Sequence, residues 1–257
     1  MTTPANLLRF SNIRPLVRYV DEDQAVVDVH FTVQPPFPAK TSLPLPGQVH
    51  VCVAVSTESG FHDEKITDVA LDQDHGMVRF DLVSPTRWWP APMGNQQLYD
   101  ISVSLLFDDD VVDEQTSTVG LTSVRRATDQ SDCLILLVNG QEFQADSVIP
   151  VDHYQENLLL PVSGDSILVV RDHYGPDVLY DAADRAGILL VQCVPIDRDG
   201  QPEHTVLEHV TRLAKHPSLA GWCVSPQGEL SQTLAGQIRL VDPTHNVFMD
   251  APSNWAA

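Results

Sequence analysis

Ile167-Leu-Val-Val-Arg-Asp-His-Tyr-Gly-Pro-Asp-Val-Leu-Tyr-Asp-Ala-Ala-Asp-Arg-Ala-Gly-Ile-Leu-Leu-Val191 decides the class of fold. It opens with four apolar residues, Ile167–Val170. A turn leads to Pro176–Ala186, where Val178, Leu179, Ala182 and Ala183 share one helical face. Pro176 suits the first turn of a helix and Gly187 suits its end. Ile188–Val191 then repeats the short apolar run. Strand, helix, strand at this spacing is a βαβ unit, and strands apolar on both faces belong in a buried parallel sheet.

The same rhythm continues downstream. Thr205–Lys215 places Val206, Leu207, Val210, Leu213 and Ala214 at helical spacing, and Glu229–Leu240 does so with Leu230, Leu234 and Ile238. Leu219–Val224 is another unbroken run, and Leu134–Val138 upstream reads as one too. Five barrel-type strands are expected, near Ala145–Pro150, Ile167–Arg171, Ile188–Pro195, Leu219–Ser225 and Val247–Ala251.

Before Ser131 the period is two. Val27, Val29, Phe31 and Val33 alternate with polar residues, as do Val49–Val55, then Val78, Phe80 and Leu82, then Tyr99, Ile101, Val103 and Leu105. Pro- and Gly-containing breaks separate the runs. This predicts an antiparallel sandwich of immunoglobulin-like size. The expected architecture is multi-domain, β plus α/β: a sandwich over residues 9–128, then a partial, truncated TIM-type β/α barrel over 129–257. The acidic run Asp108–Glu114 reads as a solvated hairpin turn.

Composition narrows the function. The 257 residues carry 15 Lys+Arg against 35 Asp+Glu, a formal charge of −20. That balance disfavours nucleic acid and anionic membrane surfaces as partners. No apolar run is long enough to span a bilayer, and no secretory signal is visible. Cys52, Cys133, Cys193 and Cys223 lie far apart, so they read as free thiols in a cytoplasmic protein, with no metal and no cofactor expected.

Six segments, in order, resemble glycoside hydrolase family 2, the β-galactosidase, β-glucuronidase and β-mannosidase group. They are Arg87-Trp-Trp-Pro-Ala-Pro-Met-Gly-Asn-Gln-Gln-Leu-Tyr-Asp100, Val119–Val124, Leu137-Val-Asn-Gly-Gln-Glu-Phe143, Val170–Val191, Ala214-Lys-His-Pro-Ser-Leu-Ala-Gly-Trp-Cys223 and Leu240-Val-Asp-Pro-Thr-His-Asn-Val-Phe248. The resemblance runs from about Asn12 to Phe248. It implies a sandwich followed by a (β/α)8 catalytic barrel and a retaining glycosidase mechanism.

The departures fall on the chemistry. Retaining hydrolysis needs two carboxyl groups about 5–5.5 Å apart. By motif position the family's acid/base corresponds to Gln227, and a carboxamide has no proton to donate and reclaim. Glu229, two residues on, is the alternative acid. The resemblance puts the nucleophile on a seventh strand, yet 127 residues run from Ser131 to Ala257, and a full barrel takes about 250. The expectation is therefore a catalytically inactive relative acting as a binding or assembly module. An active glycosidase fragment completed by a partner chain, or a lectin-like binder, are the alternatives. The open barrel predicts a homo-oligomer or a protein partner covering it, with carbohydrate as a candidate ligand.

Ligand-binding candidates by motif match are Arg171, His173, Tyr174, Trp222 and Gln227. Each has a packing alternative: Arg171 can pair with Asp197 or Asp250, and Trp222 can be core. The repeated Asp152-His-Tyr154 and Asp172-His-Tyr174 could ligate a metal, against a chance origin for the first copy.

Overall fold

The alternating segments become strands because each can bury one face. The computed structural model describes residues 8–34, 48–69, 75–126, 135–151, 165–195, 205–224 and 228–249. Strands β1 (Arg9–Val20), β2 (Gln24–Gln34) and β5 (His75–Val83) form one antiparallel sheet in the order β1-β2-β5. Strands β3 (Val49–Ser56), β4 (His62–Asp68), β6 (Leu98–Phe107) and β7 (Asp110–Gly120) form a second, in the order β4-β3-β6-β7. Between them lie Val27, Val29, Phe31, Phe80 and Leu82 from one sheet and Val51, Val53, Val55, Ile101, Val103 and Leu105 from the other, all buried. Truncating one of these to Ala removes its transfer energy and leaves a cavity, together about 2–5 kcal/mol for the larger ones. Asp108 and Asp109 turn the β6–β7 hairpin at positive φ, 49° and 70°, and are exposed, whereas the rest of the acidic run, Asp110–Glu114, belongs to β7 rather than to the turn.

The second unit is a parallel sheet. Strands β11 (Ser147–Val151), β12 (Ser166–Val170), β13 (Leu189–Cys193), β14 (Leu219–Cys223) and β15 (Asn246–Phe248) lie side by side in chain order. Every neighbouring pair is parallel. Helices α1 (Asp177–Ala186), α2 (Val206–Leu213) and α3 (Gly228–Val241) make the crossovers. Leu168, Val170 and Leu190 point to the helices and pack with Leu179, Val210 and Ile238. Ile167, Val169, Leu189 and Val191 point the other way. Both faces are covered, which is why these strands carry no polar alternation.

The run Leu134–Val138 differs from expectation. Its described part, β9 (Ile135–Val138), is antiparallel between β8 (Val124–Arg126) and β10 (Gln141–Gln144). Asn139 and Gly140 take positive φ of 49° and 84°, the two-residue hairpin turn that an Asn-Gly pair favours. This small sheet lays Val124, Leu136, Val138 and Phe143 against the helix-free face of the parallel sheet. The boundary read between 128 and 129 falls between β8 and β9, which pair with each other.

The sandwich joins the parallel sheet at its N-terminal end. Trp88, fully buried, donates its indole N–H to the Asp184 carbonyl at 2.8 Å. Ala91 N–H reaches Gly187 O at 3.0 Å, and Asn246 Nδ2 reaches Val124 O at 2.8 Å. Gly187 caps α1 at φ 70°, and a Cβ there would sit 2.5 Å from Ala91 N, so the site needs glycine on two counts.

Candidate functional site

In a parallel βα sheet the strand C-termini form the working face. β12 delivers Arg171 and His173 there. Arg171 follows inward-facing Val169 by two residues, and its N–H bonds Val151 O at 3.3 Å. Beside it stand the register partners Cys193 and Cys223, at the ends of β13 and β14. A hydrogen bond from Cys223 and burial push the Cys193 thiol up, and the Arg171 charge works against that rise. Arg171 thus sits over the inner rim.

The turn after β12 is held from below. Asp172 is exposed and takes φ 58° in the left-handed region. His173 Nδ1 lies 2.7 Å from Arg171 O, while its Nε2 is buried with no hydrogen-bond partner among the described residues. Gln192, fully buried in β13, donates from Nε2 to His173 O at 2.9 Å and Cys193 O at 2.6 Å. Its Oε1 accepts the Tyr180 hydroxyl, whose proton burial makes hard to remove. Gln192 was not singled out from sequence. A lone amide inside Leu189-Leu-Val-Gln-Cys193 was the available signal.

Two candidates face the other way. The Tyr174 ring stacks on His209 of α2, centroids 4.0 Å apart, on the helix side. Trp222 is fully buried in the helix-side core, and its Nε1 donates to Asp242 Oδ2 at 2.8 Å. The packing alternative therefore holds for Trp222, because strand alternation turns it away from the inner face. Gln227, Asp152, His153, Tyr154, Asp197 and Asp250 lie outside the described residues, as does Cys133. Of the thiols, Cys223 is buried, and Cys52 and Cys193 are half-buried.

A denser polar cluster occupies the opposite end of the sheet. Asp184 Oδ2 accepts from His216 Nδ1 at 2.7 Å, and Oδ1 accepts the Ser218 N–H at 3.1 Å and its hydroxyl at 2.5 Å. Asp181 comes within 3.9 Å of the same imidazole, so three possible metal donors gather there. Both oxygens of Asp184 are already taken, while the buried His216 Nε2 has no hydrogen-bond partner among the described residues. Asp242 likewise accepts from Trp222, Thr244 and His245, the last at 2.8 Å. Burial pushes the Asp242 carboxyl up, but His245 and the hydrogen bonds outweigh it and hold it at about 2. Burial pushes His245 down, and the Asp242 charge more than reverses it, raising His245 above its usual value.

With this geometry in place, the relationship can be read. The sequence model "Glycosyl hydrolases family 2" matches residues 15–121, the sandwich. Beta-mannosidase B of Aspergillus clavatus is 27% identical over 215 residues, 73% of this chain and 25% of that protein. The chain is a relative of glycoside hydrolase family 2. Beta-mannosidase A of Emericella nidulans, 28% identical over 203 residues, covers 65% of this chain and 21% of its own length. The chain thus spans about a quarter of the length of the curated relatives it matches. The solved structure of a family 2 member from Bacteroides cellulosilyticus superposes at TM-score 0.71 with 19% identity, over 93% of this chain and 35% of that one. That of a putative beta-galactosidase from Bacteroides fragilis does so at 0.74 with 15% identity, over 96% and 42%. The fold of this family 2 relative is accordingly a β sandwich followed by a parallel α/β sheet.

Proposed function

We propose that this family 2 relative is a carbohydrate-binding or assembly module of β-mannosidase type, and that these 257 residues do not hydrolyse glycosides on their own. The observation that carries the reading is Gln227 at the acid/base position, where a carboxamide cannot relay a proton. Residues 9–128 form the sandwich unit in this reading, and 129–257 the opening strands of a barrel-type domain. Five parallel strands in chain order, with helices on one face, support the barrel assignment. Arg171 and His173 are the ligand-facing groups. The edge strands β11 and β15 would pair with a second copy or a partner protein, in the cytoplasm.

The test is hydrolysis of aryl β-mannoside, β-galactoside and β-glucuronide. No turnover above buffer is expected. Turnover that disappears in Gln227→Ala would overturn the reading. Arg171 at the inner rim favours a second reading, in which a completing chain restores activity. Mixing with such a chain, with and without Gln227→Glu, separates the two.

A further inference from the structure

Seven of the 15 Lys and Arg residues of this acidic chain line one seam. Four clefts follow the seam between the sandwich and the α/β unit, and consecutive clefts share lining residues. The first, about 590 Å³, lies between β1, β7 and α2 and carries Arg14, Arg212 and Lys215. Lys215 also lines the second, a gap of about 20 Å³ shared with Thr122, Thr244 and His245. The third, about 360 Å³, keeps Thr122, Thr244 and His245 and adds Arg18 and Arg125. The fourth, about 590 Å³, keeps His245 and adds Arg126 and Arg239 over Val247 and Met249.

Among the described lining residues there are thus seven Lys and Arg and one carboxylate, Glu208. The whole chain has 15 Lys+Arg against 35 Asp+Glu. Some of these cations are already engaged: Arg212 pairs with Asp177, and Arg18 lies 3.7 Å from Asp28. Among the described residues, Arg14 and Arg239 donate to the carbonyls of Val241 and Val247. Lys215, Arg125 and Arg126 have no ion-pair partner among the described residues, and both arginines are exposed.

We propose that this seam is a docking track for an acidic polypeptide segment of a partner protein. Guanidinium forks match carboxylates bidentately, and their spacing along a line suits an extended chain. Sugars and bases need flat aromatic platforms. The aromatic residues lining the track are Tyr19, whose hydroxyl is bonded to Asp21, and Phe248, which is 2% exposed. The net charge of −20 repels a polyanion at long range, but salt screens that within about 8–10 Å and leaves local attraction in control.

The experiment is fluorescence anisotropy with a labelled decapeptide of alternating Asp and Glu, against its Asn/Gln counterpart. The acidic peptide should bind and the amide peptide should not, with binding weakened several-fold by raising salt from about 50 to 300 mM. Arg125→Glu combined with Arg126→Glu should weaken it about tenfold or more. Arg239→Gln, on another element, should weaken it independently. Equal binding of both peptides, no binding, or indifference to all these substitutions overturns the proposal. So does binding of a heparin hexasaccharide with the peptide silent. Salt-sensitive self-association without peptide would place a second copy in the track and overturn the assignment to a separate partner.

Discussion

The two ends of the parallel sheet are built on opposite principles. At the N-terminal end, Asp184 and Asp242 are buried and each is bonded to a histidine and to further donors. At the C-terminal end, Arg171 and the exposed Asp172 stand on a short turn, steadied by one buried amide, Gln192. Two of the segments that resemble the family, His216-Pro-Ser218 and Asp242-Pro-Thr-His245, lie at the first end. Gln227, the departure read at the acid/base position, follows β14 in the sequence and lies outside the described residues. The buried clusters of the first end hold the domain together, in line with the general division of labour between the two faces of βα barrels.

Removing one partner from the buried clusters should break this comparison most sharply. Asp184→Ala strands the His216 imidazole and two Ser218 donors, and Asp242→Ala strands the Trp222 and His245 donors. Each should cost about 3–5 kcal/mol by denaturant titration. A cost under about 1 kcal/mol would show that the two ends are equally dispensable. Gly187→Ala comes next. It forces a Cβ into the left-handed region and against Ala91 N, and should cost about 1–3 kcal/mol.

Arg171→Met and His173→Gln should be near-neutral for stability, within about 1 kcal/mol, because both side chains are only half-buried and each substitution keeps most of the bulk. Any sugar affinity detected by calorimetry should be lost with Arg171→Met. A large stability loss from either would make the rim structural instead.

The smallest expected effect is on pH. Asp242 is held at about 2, below the ordinary carboxylate value of 3.8, so its contribution is complete above 3.8 and lost as pH falls through 2. His245 is raised above 6.5, so its contribution is complete below 6.5 and lost as pH rises through the higher folded value. Melting temperature should therefore be greatest between roughly pH 4 and 6.5 and decline on the alkaline side. His245→Gln should flatten that decline, and an unchanged profile would remove the pair from the account.

Much of the fold was legible because periodicity reports burial directly. Val49–Val55 alternates in sequence and in burial, and Ile167–Val170 is apolar throughout because both its faces are covered. Leu134–Val138 was misread because a short apolar run carries no record of its partner's direction; the Asn139-Gly140 turn did carry one. The site was harder. Motif matching singled out Arg171, which stands at the inner rim, together with Tyr174 and Trp222, which turn to the helices; a one-residue difference in strand phase decides between the two faces. Asp184 and His216 are 32 positions apart and meet only through the crossover geometry of α1 and β14.

The tie between Trp88 and Asp184 has a consequence for dissecting the molecule. The indole belongs to the sandwich segment, the carbonyl to a helix of the other unit, and Asn139 of the small sheet holds the Trp88 backbone oxygen at 2.9 Å. Cutting between the halves would leave a fully buried tryptophan facing water on one fragment and unfilled apolar surface on the other. Calorimetry of the intact chain should then record one transition rather than two, and amides on β6 and β13 should exchange with solvent at a common limiting rate.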